Sequence, residues 1–525
     1  MTGAAALTSR VVAWFCSCLL LWAGGALAAD TLPGLVEAGN RDAALRLIGA
    51  GHDVNERSAD GTTALHWAVD QGDAELVEEL LAHGADASLR NDYGVTAIAA
   101  AAVEGDSRIV KALLDAGADV ESPNAEGQTA LMVVARTGQV DTAKLLLDRG
   151  ADVNAKEQWG GQTALMWAAA QAQPEMIRLL VARGARVDER GHANEWQRWQ
   201  TSEPRLKQLH VGGFTPLLYA ARAGCVACTQ ALVAGGADLE LGDPRDITPL
   251  LMALLNRHFD TAAALVEAGA NVNHWDWWGR SPLYVAIELN QIPDSRRRDL
   301  PALDAHTGLD IARMVLERGA NVNMRLKEQP PMRSDPGDRG LTDGSPDVLV
   351  ITSGATALHP AVKASDDEAV KLLLEYGANP SAANIFGITP FMAAAGVGHW
   401  YGLFIAYPLI GRYKTGADAV ETMKLLMAAG ARTDGRTARL SLGYQRPLVA
   451  GLTAAHGAAF QGWSEVIEFL HEQGLDINAK QTSADGMTPR EVALAEGKME
   501  TAALLEQLVA ADAQPAADRQ VAAAR

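Results

Sequence analysis

The sequence predicts an all-α repeat solenoid. A unit of about 33 residues recurs: DGTTALHWAVDQGDAELVEELLAHGADASLRND from Asp60, then YGVTAIAAAAVEGDSRIVKALLDAGADVESPNA, then EGQTALMVVARTGQVDTAKLLLDRGADVNAKEQW. A fixed period of this size is the mark of stacked supersecondary units. Each unit also carries the same punctuation, a Thr before a first apolar run and a Gly after each of two runs. Finally, 525 residues are too many for one compact core, a limit that a stack escapes because its core grows along one axis.

Within the unit that begins at Thr63, the threonine hydroxyl stands where it can accept a bond from the free N–H groups of a helix start. At Thr215-Pro216, Thr248-Pro249, Ser281-Pro282, Thr389-Pro390 and Thr488-Pro489, proline takes the first helical position, where no N–H is needed. Ala68 is small on the packing side of this first helix, and Gly72 breaks it. Asp73 can cap a second helix in which Leu76, Val77, Leu80 and Leu81 form a stripe at helical spacing. Gly84 ends that helix where the backbone must turn left-handed.

The T-x-L-x-x-A segment, the apolar second run and the closing G-A-D/N-x-N resemble the ankyrin repeat family. The resemblance covers nearly all of the chain beyond residue 30. It implies stacked helix-turn-helix units joined by β-hairpin finger loops, such as Ala85 to Gly94, and recognition of another protein across fingers and inner helices.

Taken in order, residues 1–28 read as a secretory signal peptide. Arg10 precedes the apolar run Val11 to Trp22, and Ala26-Leu27-Ala28 fits a small-residue cleavage site. The alternative is an uncleaved anchor, since the run is near the lower length limit for a span. Residues 29–59 form a degenerate capping repeat with two short helices. The array occupies 60–510, with helix starts at Thr63, Thr96, Thr129, Thr163, Thr215, Thr248, Ser281, Thr356, Thr389, Thr453 and Thr488. The long gaps after Thr163, Ser281 and Thr389 place insertions near 190–209, 290–309, 324–350, 398–416 and 436–449. Insertions in repeats map to loops, often on the binding face. The Ala-rich tail, 511–525, lacks a core stripe and is expected to be disordered.

The net charge of −19 disfavours nucleic acid as a partner and favours a basic protein. Export with signal cleavage would leave a protein without a membrane span, a monomer located in the periplasm or secreted. The mature chain would keep two cysteines, Cys225 and Cys228. Cys225 falls at the cap position that Asp73 holds, and Cys228 at the core position of Leu76. They can form a disulfide or pack as small apolar groups. A helix-start thiol would also have a lowered pKa, which leaves a thiol-redox role as an alternative function. Thr229 follows Cys228 where a c-type haem site needs His.

His66, His359 and His456 occupy the fourth position from the unit's Thr, where the resemblance implies support of the local turn. Other units place Met132, Met166, Leu218, Leu251 or Tyr284 there, so no continuous histidine face and no metal stripe is expected. No phosphate-cradling glycine loop, G-x-S-x-G, H-E-x-x-H or acid pair occurs, so the sequence points to no catalytic residue, no cofactor and a non-enzymatic scaffold.

The aromatic residues carry more information. Trp275, Trp277 and Trp278 lie in one finger, NHWDWWGR, and Trp196 and Trp199 lie in the finger insertion two units earlier. If the former is a hairpin, Trp275 and Trp277 share a face. At about 10 Å per repeat the two clusters are roughly 20 Å apart, within reach of the insertion. Tyr93, Trp159 and Phe386 sit near other finger tips. Exposed Trp clusters are typical binding anchors; the alternative is that they pack the loops onto the stack. A small-molecule or envelope-polymer binder using these rings as stacking platforms is a further alternative.

Overall fold

The computed structural model describes residues 31–194, 211–290, 304–328, 350–398, 415–438, 440–441, 448–482 and 486–513. The expected signal segment, Trp196 and Trp199, much of each expected insertion and the tail from 514 lie outside them. No helix among the described residues is long and apolar enough to cross a membrane. The chain divides into two compact units, Met1–His192 with Ala234–Ala237, and Ala193–Val233 with Asp238–Arg525.

The first unit is a series of helix pairs: α1 (Leu32–Glu37) and α2 (Arg41–Gly49), α3 (Ala64–Asp70) and α4 (Ala74–Ala82), α5 (Ala97–Glu104) and α6 (Ser107–Asp115), α7 (Ala130–Thr137) and α8 (Val140–Asp148), α9 (Ala164–Ala170) and α10 (Pro174–Ala182). First helices pack on first helices of the adjoining pair and second on second, so each pair completes its neighbour's core. Leu76, Val77 and Leu80 of α4 are buried, each worth about 2 kcal/mol. Leu81 is half-buried at the rim of that stripe.

The second unit opens with a short antiparallel ladder, β1 (Ala193–Asn194) on β2 (Val211–Gly212). Its helices are α11 (Pro216–Ala223), α12 (Val226–Ala234), α13 (Pro249–Leu255), α14 (Phe259–Glu267), α15 (Pro282–Asn290), α16 (Gly308–Glu317), α17 (Leu358–Ala364), α18 (Asp367–Glu375), α19 (Pro390–Ala394) and α20 (Gly416–Ala428). A second ladder pairs β3 (Leu440–Ser441) with β4 (Leu448–Val449). Helices α21 (Ala454–Gln461), α22 (Ser464–Glu472), α23 (Pro489–Ala495) and α24 (Met499–Asp512) complete it. The last helix thus runs two residues into the stretch expected to be disordered. Helicity persists because Thr501, Ala502 and Leu505 of α24 are buried.

Threonine hydroxyls start the first helices as their positions imply. Thr96, Thr129, Thr163, Thr215, Thr248 and Thr389 each accept the N–H three residues on. Asp73, Asp106 and Asp366 do the same for second helices. Around Thr356 the helix begins later, at Leu358, and Thr356 instead engages His359.

The finger loops are tighter than the hairpins that the resemblance implies. In several of them, the first residue is a side-chain acceptor for backbone N–H groups two and four residues on. Asn91 holds Tyr93 and Val95; Asp243 holds Arg245 and Ile247; Asp276 holds Trp278 and Arg280; Asn384 holds Phe386 and Ile388. This side-chain turn closes the loop, with a single antiparallel bridge, Arg90 to Thr96, at the base of the Asn91 loop.

Candidate functional site

Within each unit, fingers are tied edge to edge by backbone bonds. Asp92 N–H donates to Asp60 O at 2.9 Å, Trp277 N–H to Arg245 O at 2.9 Å, and Ile385 N–H to Ser353 O at 2.9 Å. Gly279 shows why the tips need glycine. Its φ is +85°, and a Cβ there would lie 2.6 Å from the Lys327 amide nitrogen, which donates to Trp278 O.

On these pinned turns the aromatic residues part company. Trp159 is 80% exposed and Tyr93 67%, both at finger tips of the first unit. The Trp159 finger is held by Glu157, whose buried carboxylate accepts the N–H groups of Trp159, Gly160 and Gln162. In the second unit Trp275 is 40% exposed and Trp277 41%, but Trp278 only 3%. Trp278 therefore corrects its expected place among the binding residues. Asp276 accepts the Trp278 N–H and turns that ring inward, where Arg280 covers it at 5.0 Å. The Arg280 guanidinium is in turn held by the Asp276 carboxylate at 2.7 Å, a buried pair. Trp277 stands edge-on to Trp278, centroids 5.6 Å apart. Lys327 lies 3.2 Å over the Trp275 ring, a cation–π contact. Phe386 is half-buried, and the residue exposed at its tip is Ile385, at 63%.

A second set of residues ties repeats together. The Asn four residues after the helix-ending Gly donates to the carbonyl of the next unit's helix-ending Gly and accepts the N–H two residues beyond. Asn55 bridges Gly84 and Asp86; Asn154 bridges Gly184 and Arg186; Asn273 bridges Gly319 and Asn321; Asn323 bridges Gly377 and Asn379. The motif was visible in the sequence; its constant spacing was the signal of an inter-repeat contact.

The three histidines do more than support a turn. His66 Nδ1 accepts from the Thr63 N–H, and Nε2 reaches Val95 O at 3.1 Å in the next finger. His359 joins Thr356 to Ile388 O and His456 joins Thr453 to Met487 O in the same way. Desolvation is the largest cause that holds all three below the ordinary histidine range, pushing His359 and His456 down to about 4.

Cys225 and Cys228 are joined by a disulfide at the start of α12. Among the described residues no group of three or more His, Cys, Asp or Glu is placed to hold a metal ion.

The family model described as Ankyrin repeats (3 copies) matches residues 34–124, 119–191 and 217–325, and a single Ankyrin repeat matches 353–385. The chain belongs to the ankyrin repeat family. Beyond residue 385 the helix pairs continue as α19 to α24. The chain is 28% identical over 174 residues to a mitochondrial disaggregase of Bos taurus, covering 33% of this chain and 20% of that protein. To the Homo sapiens mitochondrial disaggregase it is 29% identical over 187 residues, covering 33% and 23%. The chain thus spans about a fifth of the length of these curated relatives. Among solved structures it is similar to the human ASB11 ankyrin repeat domain, with 22% identity, TM-score 0.38, and 46% and 98% of the two chains covered. The Bcl-3 ankyrin repeat domain gives 29% identity, TM-score 0.36, and 45% and 98%.

Proposed function

We propose that this ankyrin-repeat chain is a non-enzymatic scaffold of the bacterial cell envelope that binds another protein through its finger edge. One observation carries the reading: Trp275 and Trp277 remain exposed on a finger whose backbone is fixed twice over, by Asp276 and by the bond to Arg245. Large rings held on a rigid turn lose little entropy when a partner covers them. Tyr93 and Trp159 are likewise exposed at finger tips in the first unit. The chain's net charge of −19 supports a basic partner, and the signal-like segment 1–28 supports a periplasmic or secreted address.

The test compares Trp277→Ala and Trp275→Ala with Trp278→Ala. Capture of a partner from periplasmic extract by the first two should fall about tenfold or more, with the melting temperature nearly unchanged. Trp278→Ala should instead lower the melting temperature, because that ring is buried. If Trp277→Ala lowers the melting temperature and leaves binding per folded molecule intact, the exposed rings are local packing.

A further inference from the structure

We propose that Cys225–Cys228 is an exchangeable disulfide, a redox site that takes electrons from dithiols of partner proteins, with Cys225 as the sulfur attacked. The argument begins with what the bond does not do. The pair closes a loop of only four residues, the case in which a cross-link restrains the unfolded chain least. Helix α12 does not need it either. At the same register, Asp73, Asp106 and Asp366 start second helices with a side-chain oxygen, while Gln139, Gln173 and His258 stand at starts that have no side-chain cap bond. Here the Cys225 sulfur takes the oxygen's place and accepts the Cys228 N–H at 3.1 Å. Cys228 fills the buried position that Leu76, Met176 and Ala369 fill elsewhere.

The surroundings suit exchange. Cys225 is half-buried while Cys228 is sealed, so an incoming thiolate meets one sulfur and not the other. The positive end of the nine-residue α12 faces Cys225, and its first turn holds no acidic residue to neutralise it, unlike α4, α8, α10, α14 and α18. A helix start of this kind favours the thiolate form of a cysteine. Gly224, just before Cys225, has no side chain, and the His258 ring lies against it: a Cβ there would be 2.4 Å from Nδ1. The basic side chain at the end of the preceding helix is Arg222.

The exchange balances without further reagents. A partner thiolate attacks Cys225 Sγ and forms a mixed disulfide. The Cys225–Cys228 bond breaks, and its electron pair leaves on the Cys228 sulfur, which is protonated from solvent. The partner's second thiolate then attacks its own sulfur in the mixed disulfide and releases Cys225 as a thiolate. The partner dithiol is oxidised to a disulfide, and the cysteine pair gains two electrons. This site is independent of the aromatic finger edge.

The test uses the whole chain under native conditions with dithiothreitol as the dithiol. Thiol appearance is followed by alkylation and mass spectrometry, and the fold by circular dichroism. The pair should reduce completely while the helical signal is unchanged, with a melting-temperature shift of no more than about 3 °C. In the reduced chain, iodoacetamide should label Cys225 at least tenfold faster than Cys228. A Cys228→Ser variant should form a mixed disulfide with oxidised glutathione at Cys225. Resistance to dithiothreitol until the chain unfolds, a loss of ten degrees or more on reduction, or faster labelling of Cys228 would each overturn the proposal.

Discussion

Acid should loosen this protein well above the pH at which carboxylates protonate, and the buried histidines set the size of the effect. The perturbation is a change from pH 7 to pH 5. In His359 the Nδ1 atom accepts the Thr356 N–H at 3.0 Å and Nε2 donates to Ile388 O at 3.2 Å. A proton added to Nδ1 would face that N–H, so the charged ring loses a bond as well as its hydration. His456 has the same geometry, with Thr453 at 3.1 Å and Met487 O at 3.0 Å. Their pKa values are pushed down to about 4, mainly by burial and also by Arg325 and Arg436 respectively, while Asp476 pulls His456 the other way. The unfolded chain, with histidine near 6.5, therefore binds more protons than the folded one between those values. Stability is fully present above pH 6.5 and is lost as pH falls toward 4. At pH 5 the loss is about 2 kcal/mol for each ring, or about 4 kcal/mol for both, a large part of ordinary stability. Lowered carboxylates such as Asp310 and Glu491 act below this window. Denaturant titrations at each pH measure the slope. Replacing both rings by Met, the residue at this register in Met132, Met166 and Met392, should lower stability at pH 7 and remove most of the slope from 7 to 5. An unchanged slope in the double variant would refute the reasoning.

Two further outcomes are expected. Asn323→Ala removes the bonds to Gly377 O and to the Asn379 N–H, and because the site is exposed it should cost about 1 kcal/mol in a urea titration, with native helix content retained. If the chain is exported as proposed, N-terminal sequencing should give a start near Ala29 or Asp30; a mature protein that begins at Met1 would remove the signal-peptide reading.

The repeat frame was legible because its markers are local. A Thr that accepts a helix N–H, a Pro that lacks one and a Gly that turns left-handed each do their work within a few residues, so their spacing gives the register directly. The place of Trp278 was misread for a physical reason. Alternation of faces in a hairpin set Trp275 and Trp277 together, and both are exposed, but the loop is a side-chain turn on Asp276. Asp276 draws the Trp278 N–H toward itself and binds Arg280 over the ring, so Trp278 is packed, whereas a free hairpin tip would have left it open. The clue was in the sequence: an Asn or Asp three residues before Gly recurs as Asn91, Asn124, Asp276 and Asn384. Ile385, exposed at its tip, carries no sequence signal, since an aliphatic residue beside Phe386 reads equally as core.

The same residue position also explains why a repetitive chain need not respond uniformly. Three residues after the unit's Thr, His66, His359 and His456 each reach a carbonyl of the next finger. Met132, Met166, Leu218 and Leu251 fill that place with buried apolar atoms that do not titrate. His359 and His456 fill it with a ring that must stay neutral to satisfy both neighbours. Both lie in the second unit, whose stability should therefore fall with acid more steeply than that of the first, which has His66 alone at this position. Hydrogen exchange resolved by segment would show it: at pH 5, protection should fall more around α17 and α21 than around α7 and α9, where methionine takes the histidine's place.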